Sequence, residues 1–302
     1  MARQLTLFME SMLEHAANMV KRFYERYSPD RFYVFFSAGK DSAAVLAAVA
    51  YAGDSIARHA VVVYNELAGN THPLNVEQAY RVLERLGWSD VVRVESPPYH
   101  NIKLAVVRGA RAVHIHAMSR YREDFWRSVE RWGIPVMLKN GMRWCLGEFK
   151  AKHWYHLPQL GTVRYSLVGV KVADSGHRRR IWSGARDAVK VVDIRAHRVR
   201  EVQHSPILYM TDDMVWQLLR EAGIDRDLRS YEMCGDSVNC VFCPFRRRDK
   251  QLRVARCTAE TAPWILERAR RALETSRSRG DSLTARKAQE WLEIIRLATS
   301  GQ

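Results

Sequence analysis

The sequence predicts an α/β fold built on a doubly wound parallel sheet, followed by a C-terminal helical extension that carries cysteines. Two observations indicate this fold. Apolar, strand-like runs alternate with helical segments as far as residue 171, as in parallel sheets whose faces are covered by helices. From residue 246 onward only helical patterns follow. We therefore divide the 302 residues into an α/β domain over residues 1–230, which begins with a helix, and a cysteine-containing helical region over residues 231–302.

Each element is predicted from the spacing of its apolar residues. The charge-free, β-branched and aromatic run FYVFFS predicts the first strand, and the Ala-rich run after it predicts a helix that is buried on most faces. A further helix begins with Pro73 and ends at Gly87. The predicted strands are residues 32–37, 59–65, 90–96 and 162–171, and the predicted helices are residues 4–27, 43–52, 73–87 and 119–132 with the segments after 246.

Composition limits the class of protein. The chain has 48 Lys and Arg against 33 Asp and Glu, a net charge of +15, and this balance favours polyanions such as nucleotides, tRNA or DNA as partners. A hydrophobic content of 47% argues against disorder, and no apolar run is long enough to span a membrane. Glu10 and Glu14 lie where a signal peptide needs an apolar core. We therefore expect a cytoplasmic protein with no membrane partner.

The turn SAGKDS, between the first strand and its helix, has the chemistry of a phosphate cradle. Its glycine allows close approach of a ligand, its two serines offer hydroxyls, its lysine offers a cation, and the helix N-terminus offers amides. The common G-x-x-x-x-G-K-[ST] pattern is not matched, because Val34 stands at the first glycine position and Asp41 follows the lysine. The alternative is an ordinary strand-to-helix turn. The predicted phosphate-binding residues are Ser37, Ala38, Gly39, Lys40, Asp41 and Ser42.

Three later loops are expected at the same sheet edge, because ligands of open parallel sheets bind at the carboxyl ends of the strands. The loop 65–75 offers Asn70 and Thr71, which could instead act only as helix caps. The loop after Gly169 offers cations for phosphate or sulfate, although most charge runs are simply solvated. Its candidate residues are Lys171, Asp174, Ser175 and Arg178. The loop 140–154 carries Arg143, Cys145 and Lys150, and this cysteine could also be a core residue.

Together these segments resemble a known family. SAGKDS resembles the S-G-G-K-D-S loop of the PP-loop ATP pyrophosphatases, with Ala38 in place of one glycine. The R-W-C segment, the run from Gly169 to Arg178 and residues 206–216 are similar to motifs of the phosphoadenosine phosphosulfate (PAPS) reductase-like branch, with Lys171 for Arg and Asp174 for Glu. The resemblance covers roughly residues 30–250. It implies an adenine nucleotide alpha hydrolase-like fold, bound ATP or a sulfonucleotide, and Mg²⁺. The catalytic roles it implies fall on Lys40, Asp41, Ser42 and Arg178.

The five cysteines suggest a metal centre. Cys234, Cys240 and Cys243 form a C-x5-C-x2-C pattern, and soft thiolates suit zinc or an iron–sulfur cluster. Members of the resembled family combine a cysteine in the R-W-C loop with a later C-x-x-C and bind a [4Fe–4S] cluster. The resemblance therefore implies a [4Fe–4S] cluster held by Cys145, Cys234, Cys240 and Cys243, with Cys257 in reserve and zinc as the alternative.

The function implied by the resemblance is that of an ATP pyrophosphatase, which adenylates a substrate and takes part in sulfur transfer to tRNA, DNA or a small thiol. Such an enzyme would need a sulfur donor. One alternative is a sulfonucleotide reductase with an electron-donor protein, although the E-C-G-x-H motif of such reductases is not found and Cys257 is the last cysteine. The other alternative is a nucleic-acid-binding module with structural zinc, against which the intact GKDS argues.

Overall fold

A computed structural model describes residues 11–88, 100–107, 113–118, 124–136, 144–151, 163–194, 199–279 and 282–300. The strands are β1 Phe32–Phe36, β2 Ala60–Asn65, β3 His100–Val107, β4 Val113–Met118, β5 Val163–Leu167, β6 Val189–Ile194 and β7 Val199–His204. The helices up to β7 are α1 Met12–Tyr27, α2 Lys40–Tyr51, α3 Asp54–Ala57, α4 Pro73–Arg85, α5 Phe125–Trp132, α6 Trp144–Leu146 and α7 Gly176–Ile181. The later helices are α8 Asp212–Glu221, α9 Arg229–Cys234, α10 Arg248–Thr261, α11 Pro263–Arg279 and α12 Ser282–Thr299.

The strands follow the hydrogen-bonded order β4-β3-β2-β1-β5-β7-β6. Strand β5 runs parallel to both β1 and β7, with Tyr33 opposite Ser166 and Val163 opposite Arg200. This arrangement confirms the α/β class. The predicted parallel sheet is confirmed only in part, because β3–β4 and β6–β7 are antiparallel pairs. Only residues 108–112 and 195–198 join the strands of these pairs, and a parallel crossover needs a dozen or more residues.

Most predicted elements are confirmed where the structure describes them. Helix α4 ends two residues before the predicted end, and strand β5 is shorter than predicted, since it ends at Leu167. The predicted strand 90–96 lies outside the described residues, as do residues 4–10 and 119–123 of two predicted helices. Strands β3, β4, β6 and β7 were not predicted. In the described part of the chain after residue 246, α10, α11 and α12 are the secondary-structure elements, as expected.

The chain divides into two compact units. The first draws its described residues from Met1–Phe35, Lys40–Val61 and Leu160–Arg226. Its core is formed by strand β1, which is wholly buried, and by helix α2, in which residues 43–49 are all inaccessible to solvent. The run of alanines in α2 explains this burial, because small side chains allow close packing on every face of the helix.

The second unit draws its described residues from Phe36–Gly39, Val62–Gln159 and Asp227–Gln302. Its core joins helices α5, α10, α11 and α12 through large aromatic side chains. The ring of Phe242 lies 5.4 Å from that of Trp126 and 5.2 Å from that of Trp291. Cys145 and Cys240 pack against the same apolar cluster. Among the described residues, no helix has the length and apolarity that a membrane span requires.

Candidate functional site

The turn after β1 has a backbone conformation that an alanine rarely adopts. Ala38 is buried and has φ 56°, in the left-handed region that favours glycine. The carbonyl of Ser37 accepts a hydrogen bond from Asn75 Nδ2 (3.2 Å), and that of Ala38 accepts one from Gln78 Nε2 (2.6 Å). Both amide side chains are buried in helix α4. These contacts hold the turn in an unfavourable conformation, as is common at functional sites.

Gly39 is closely surrounded by hydroxyl groups of the second unit. A Cβ built on Gly39 would lie 3.4 Å from the hydroxyl oxygen of Ser237 and 3.5 Å from those of Ser37 and Tyr231. Three hydroxyls therefore face the space that a side chain would fill. Hydroxyl groups donate hydrogen bonds to phosphate oxygens, so this surrounding fits the predicted phosphate cradle.

In the first unit, the start of helix α2 carries a cluster of shared charges. Lys40 Nζ donates to Asp41 Oδ1 (2.9 Å) and to Asp212 Oδ1 (2.8 Å). Lys171, whose side chain is wholly buried, also donates to Asp212 Oδ1 and lies 3.2 Å from Asp41 Oδ1. Two ammonium groups thus share two carboxylate oxygens. The predicted residues Lys40, Asp41 and Lys171 are brought together, as the loop order suggested.

The loop after β5 completes this cluster. Asp174 lies 3.2 Å from Lys171 Nζ through one oxygen and binds the guanidinium of Arg178 through the other. Ser175 is exposed, and its Oγ accepts a hydrogen bond from the backbone N–H of Arg178 at the start of α7. A Cβ on Gly169 would lie 2.8 Å from backbone atoms of Asp41 and Ser42. This loop can therefore rest on the start of α2 only because residue 169 has no side chain.

The contacts between the lysines and the carboxylates keep Lys40 and Asp212 charged. Burial by itself would lower the pKa of Lys40, but the carboxylates of Asp41 and Asp212 outweigh burial, and the pKa is raised above its ordinary value. Burial would likewise raise the pKa of Asp212, yet its hydrogen bonds with Lys171 and Lys40 lower it to about 2. Sequence reasoning missed Asp212. The available signal was its position directly after Thr211, a typical N-cap residue, at the start of a helix.

Asn70 and Thr71, predicted to bind the nucleotide, contact the cysteine segment of the second unit. Both are buried, and their polar atoms hold the cysteine segment of the second unit. Asn70 Nδ2 donates to Cys240 Sγ (3.2 Å), its Oδ1 accepts from the N–H of Phe242 (3.0 Å), and Thr71 Oγ1 donates to the carbonyl of Asn239 (2.8 Å). In this structure they position Cys240.

The five cysteines comprise one bonded pair and three others. Cys234 and Cys257 form a disulfide, whereas Cys145, Cys240 and Cys243 do not. With this bond closed, Cys234 has no thiolate to offer, so the predicted four-thiolate site with Cys145, Cys240 and Cys243 requires reduction of the disulfide. Within the described ranges, no three His, Cys, Asp or Glu side chains are grouped in a way that could hold a metal ion.

Cys240 and Cys243 line a cavity of about 400 Å³ in the second unit, together with Ser37. Three cationic residues, Arg246, Arg247 and Lys250, also line it, as do Asp236 and the partly exposed ring of Phe245. The guanidinium of Arg246 is largely used internally, since it donates to the carbonyls of Val241 (2.8 Å) and Ser237 (2.6 Å). The positive lining favours an anionic ligand.

A second residue missed by sequence reasoning is Glu66, directly after β2. Burial raises the pKa of its carboxyl group to about 7. The sequence signal was its position at the carboxyl end of a buried strand. A carboxyl group that exchanges its proton near neutral pH is suited to general acid–base chemistry.

Comparison of the chain with protein-family models, with curated proteins and with solved structures gives no match in any of the three.

Proposed function

We propose that this protein is an ATP pyrophosphatase of the PP-loop type, which binds ATP at the Ser37–Ser42 turn and adenylates a substrate. The observation that supports this proposal best is the pair of lysines, Lys40 and Lys171, held together at the start of α2 by shared carboxylate oxygens. Two adjacent ammonium groups favour the doubly charged phosphates of a nucleotide. The left-handed Ala38 and the three hydroxyl groups around Gly39 support the same assignment.

In the proposed reaction, a substrate oxygen attacks the α-phosphorus of ATP. The bond from this phosphorus to the bridging oxygen breaks, and pyrophosphate leaves with the bonding electron pair. Lys40 and Lys171 stabilise the negative charge that develops on the leaving group. Ser42 and a neighbouring carboxylate would hold Mg²⁺, which would supply further neutralisation of phosphate charge. Arg178, tied to Asp174, would contact the nucleotide or the substrate phosphate.

Sulfur transfer from the cysteine cavity is the second half of the proposal. Cys240 and Cys243 line a cationic cavity of the second unit together with Ser37, and this lining supports the proposed use of their thiols. A [4Fe–4S] cluster or zinc remains a prediction that requires reduction of the Cys234–Cys257 disulfide. Metal analysis of anaerobically purified protein tests it, since Cys145→Ser should lose the metal and Cys257→Ser should retain it. Full metal in Cys145→Ser would contradict the predicted ligand set.

Pyrophosphate release tests the proposed activity. Purified protein is incubated with Mg²⁺ and ATP, with sulfide and either tRNA, DNA or a small thiol, and pyrophosphate and AMP are quantified. We expect the two products in equal amounts, and we expect Lys40→Ala to abolish them. Release of ADP and inorganic phosphate instead, or equal rates in Lys40→Ala, would contradict the proposal.

A further inference from the structure

Asp212 is the most exposed member of the charge cluster at the start of α2. Its side chain is 64% exposed, whereas that of Lys40 is 13% exposed and that of Lys171 is wholly buried. One of its oxygens, Oδ1, accepts hydrogen bonds from both lysines. The lysines are therefore fixed in the protein, while the carboxylate that joins them lies at the solvent boundary and can leave without exposing apolar surface.

The helix itself does not depend on this carboxylate. Thr211 supplies the N-cap of α8, since its Oγ1 accepts a hydrogen bond from the N–H of Met214 (3.3 Å). Asp213, next to Asp212, is also exposed, and both carboxylates belong to the first turn of the helix. The contact of Asp212 with the two lysines is thus separate from the formation of the helix.

Charge balance indicates what this contact does. In the part of the chain that the structure describes, Lys40, Lys171 and Arg178 are joined to one another through Asp41, Asp174 and Asp212, so three cations meet three carboxylates. Departure of one carboxylate leaves an excess positive charge beside two ammonium groups. An oxygen of a phosphate group has the charge and the acceptor geometry to take the position of the carboxylate oxygen.

We propose that Asp212 is an exchangeable internal anion, which occupies a phosphate position between Lys40 and Lys171 and is displaced when the phosphates of the substrate bind. This inference rests on the proposed nucleotide site. Under this inference, Asp212 is a positioning residue that sets the affinity for phosphate. The Asp212 carboxylate holds the two lysines together before phosphate binds, and every phosphate that binds must compete with this carboxylate.

Titration with pyrophosphate in a calorimeter tests the inference. Asp212→Asn keeps the shape of the side chain but removes its charge, so we expect pyrophosphate to bind roughly threefold to tenfold more tightly than to the wild type. Asp213→Asn is the matched control, because it removes the same charge from the same helical turn, and its affinity should stay close to that of the wild type. The titrations are repeated with and without Mg²⁺.

The outcomes separate this inference from the proposed function. If the wild type binds pyrophosphate and Asp212→Asn binds it equally or more weakly, with or without Mg²⁺, Asp212 is not displaced and the inference is overturned. If neither the wild type nor the variant binds pyrophosphate or ATP, the proposed function fails as well. Should Asp212→Asn be too unstable for calorimetry, the shift of its unfolding temperature by pyrophosphate must exceed that of the wild type.

Discussion

At the scale of single residues, Gly169 shows how the site depends on close backbone contact. A Cβ at this position would lie 2.8 Å from backbone atoms of Asp41 and Ser42, which cannot move as a flexible side chain can. We expect Gly169→Ala to destabilise the protein by about 1–3 kcal/mol and to weaken nucleotide binding. Gly184→Ala is the control, because no atom of the described residues lies within 4 Å of a Cβ built there. Equal unfolding midpoints for the two variants in urea would contradict this contact.

Glu66 predicts a dependence of stability on pH. Its folded pKa of about 7 lies above the ordinary value of 4.5, so the folded state favours the protonated carboxyl. The stabilisation from this group is complete below pH 4.5 and is lost as the pH rises through about 7. We therefore expect Glu66→Gln to be more stable than the wild type at pH 8 by roughly 1–3 kcal/mol, and to show little gain at pH 5.

The measurement for Glu66 is urea unfolding at both pH values, with Glu84→Gln, an exposed residue of helix α4, as the control. A stability difference between Glu66→Gln and the wild type that does not change with pH would show that the carboxyl is not perturbed.

At the scale of elements, the parallel pair β5–β7 contains a buried ion pair. Arg164 lies opposite Glu201 in the register, the two side chains form a salt bridge, and they are 1% and 2% exposed. Ser166 Oγ and Gln203 Nε2 also donate to Glu201. Removal of one buried charge leaves the other without its partner, so we expect Glu201→Gln to destabilise the protein by about 3–5 kcal/mol.

The matched control is the pair Asp193–Arg200 on strands β6 and β7. These residues are also opposite in register, but their side chains are about 60% exposed. Asp193→Asn should cost less than about 1 kcal/mol. A similar unfolding midpoint for Glu201→Gln and Asp193→Asn would show that burial does not govern the strength of these pairs.

The central elements could be predicted because their sequences carry one clear pattern. FYVFF is apolar at every position, and PLNVEQAYRVLER combines helical spacing with Pro73 at its start. Strand β7, VREVQH, could not be predicted, because its Arg200 is exposed while its charged Glu201 is buried against Arg164. The buried Glu201 departs from the usual relation between polarity and exposure, and only the pairing of distant strands explains it.

At the scale of the whole molecule, the net charge of +15 predicts binding to a polyanion. Residues 176–200 carry eight Arg and Lys against two Asp, and residues 246–256 carry six against one. If tRNA or DNA binds there, its affinity should fall steeply as the salt concentration rises. The double variant Arg247→Gln, Lys250→Gln should have a shallower slope of log affinity against log salt concentration. Gel shifts between 50 and about 200 mM salt measure this. A flat dependence, or no shift at low salt, would restrict the substrate to small molecules.

The candidate site could be predicted only in part, because several of its residues are far apart in the sequence. The turn Ser37–Ser42 is local, so its chemistry is visible in six consecutive residues. Asp212 is 172 positions from Lys40 and 41 from Lys171, and no local pattern joins them. The same limit applies to Cys257, which was expected only as a reserve metal ligand. In the structure, Cys257 of α10 forms a disulfide with Cys234, 23 positions earlier in the chain.

The central claim is that Lys40 and the turn around it bind the phosphates of a nucleotide, and calorimetric titration with Mg²⁺ and ATP tests it most directly. We expect the wild type to bind ATP, Lys40→Ala to bind it roughly tenfold or more weakly, and Ser37→Ala to show a smaller loss, because a charge-assisted hydrogen bond is worth more than a neutral one. Lys21→Ala, in helix α1, is the control. Unchanged ATP affinity in both Lys40→Ala and Ser37→Ala would contradict the claim.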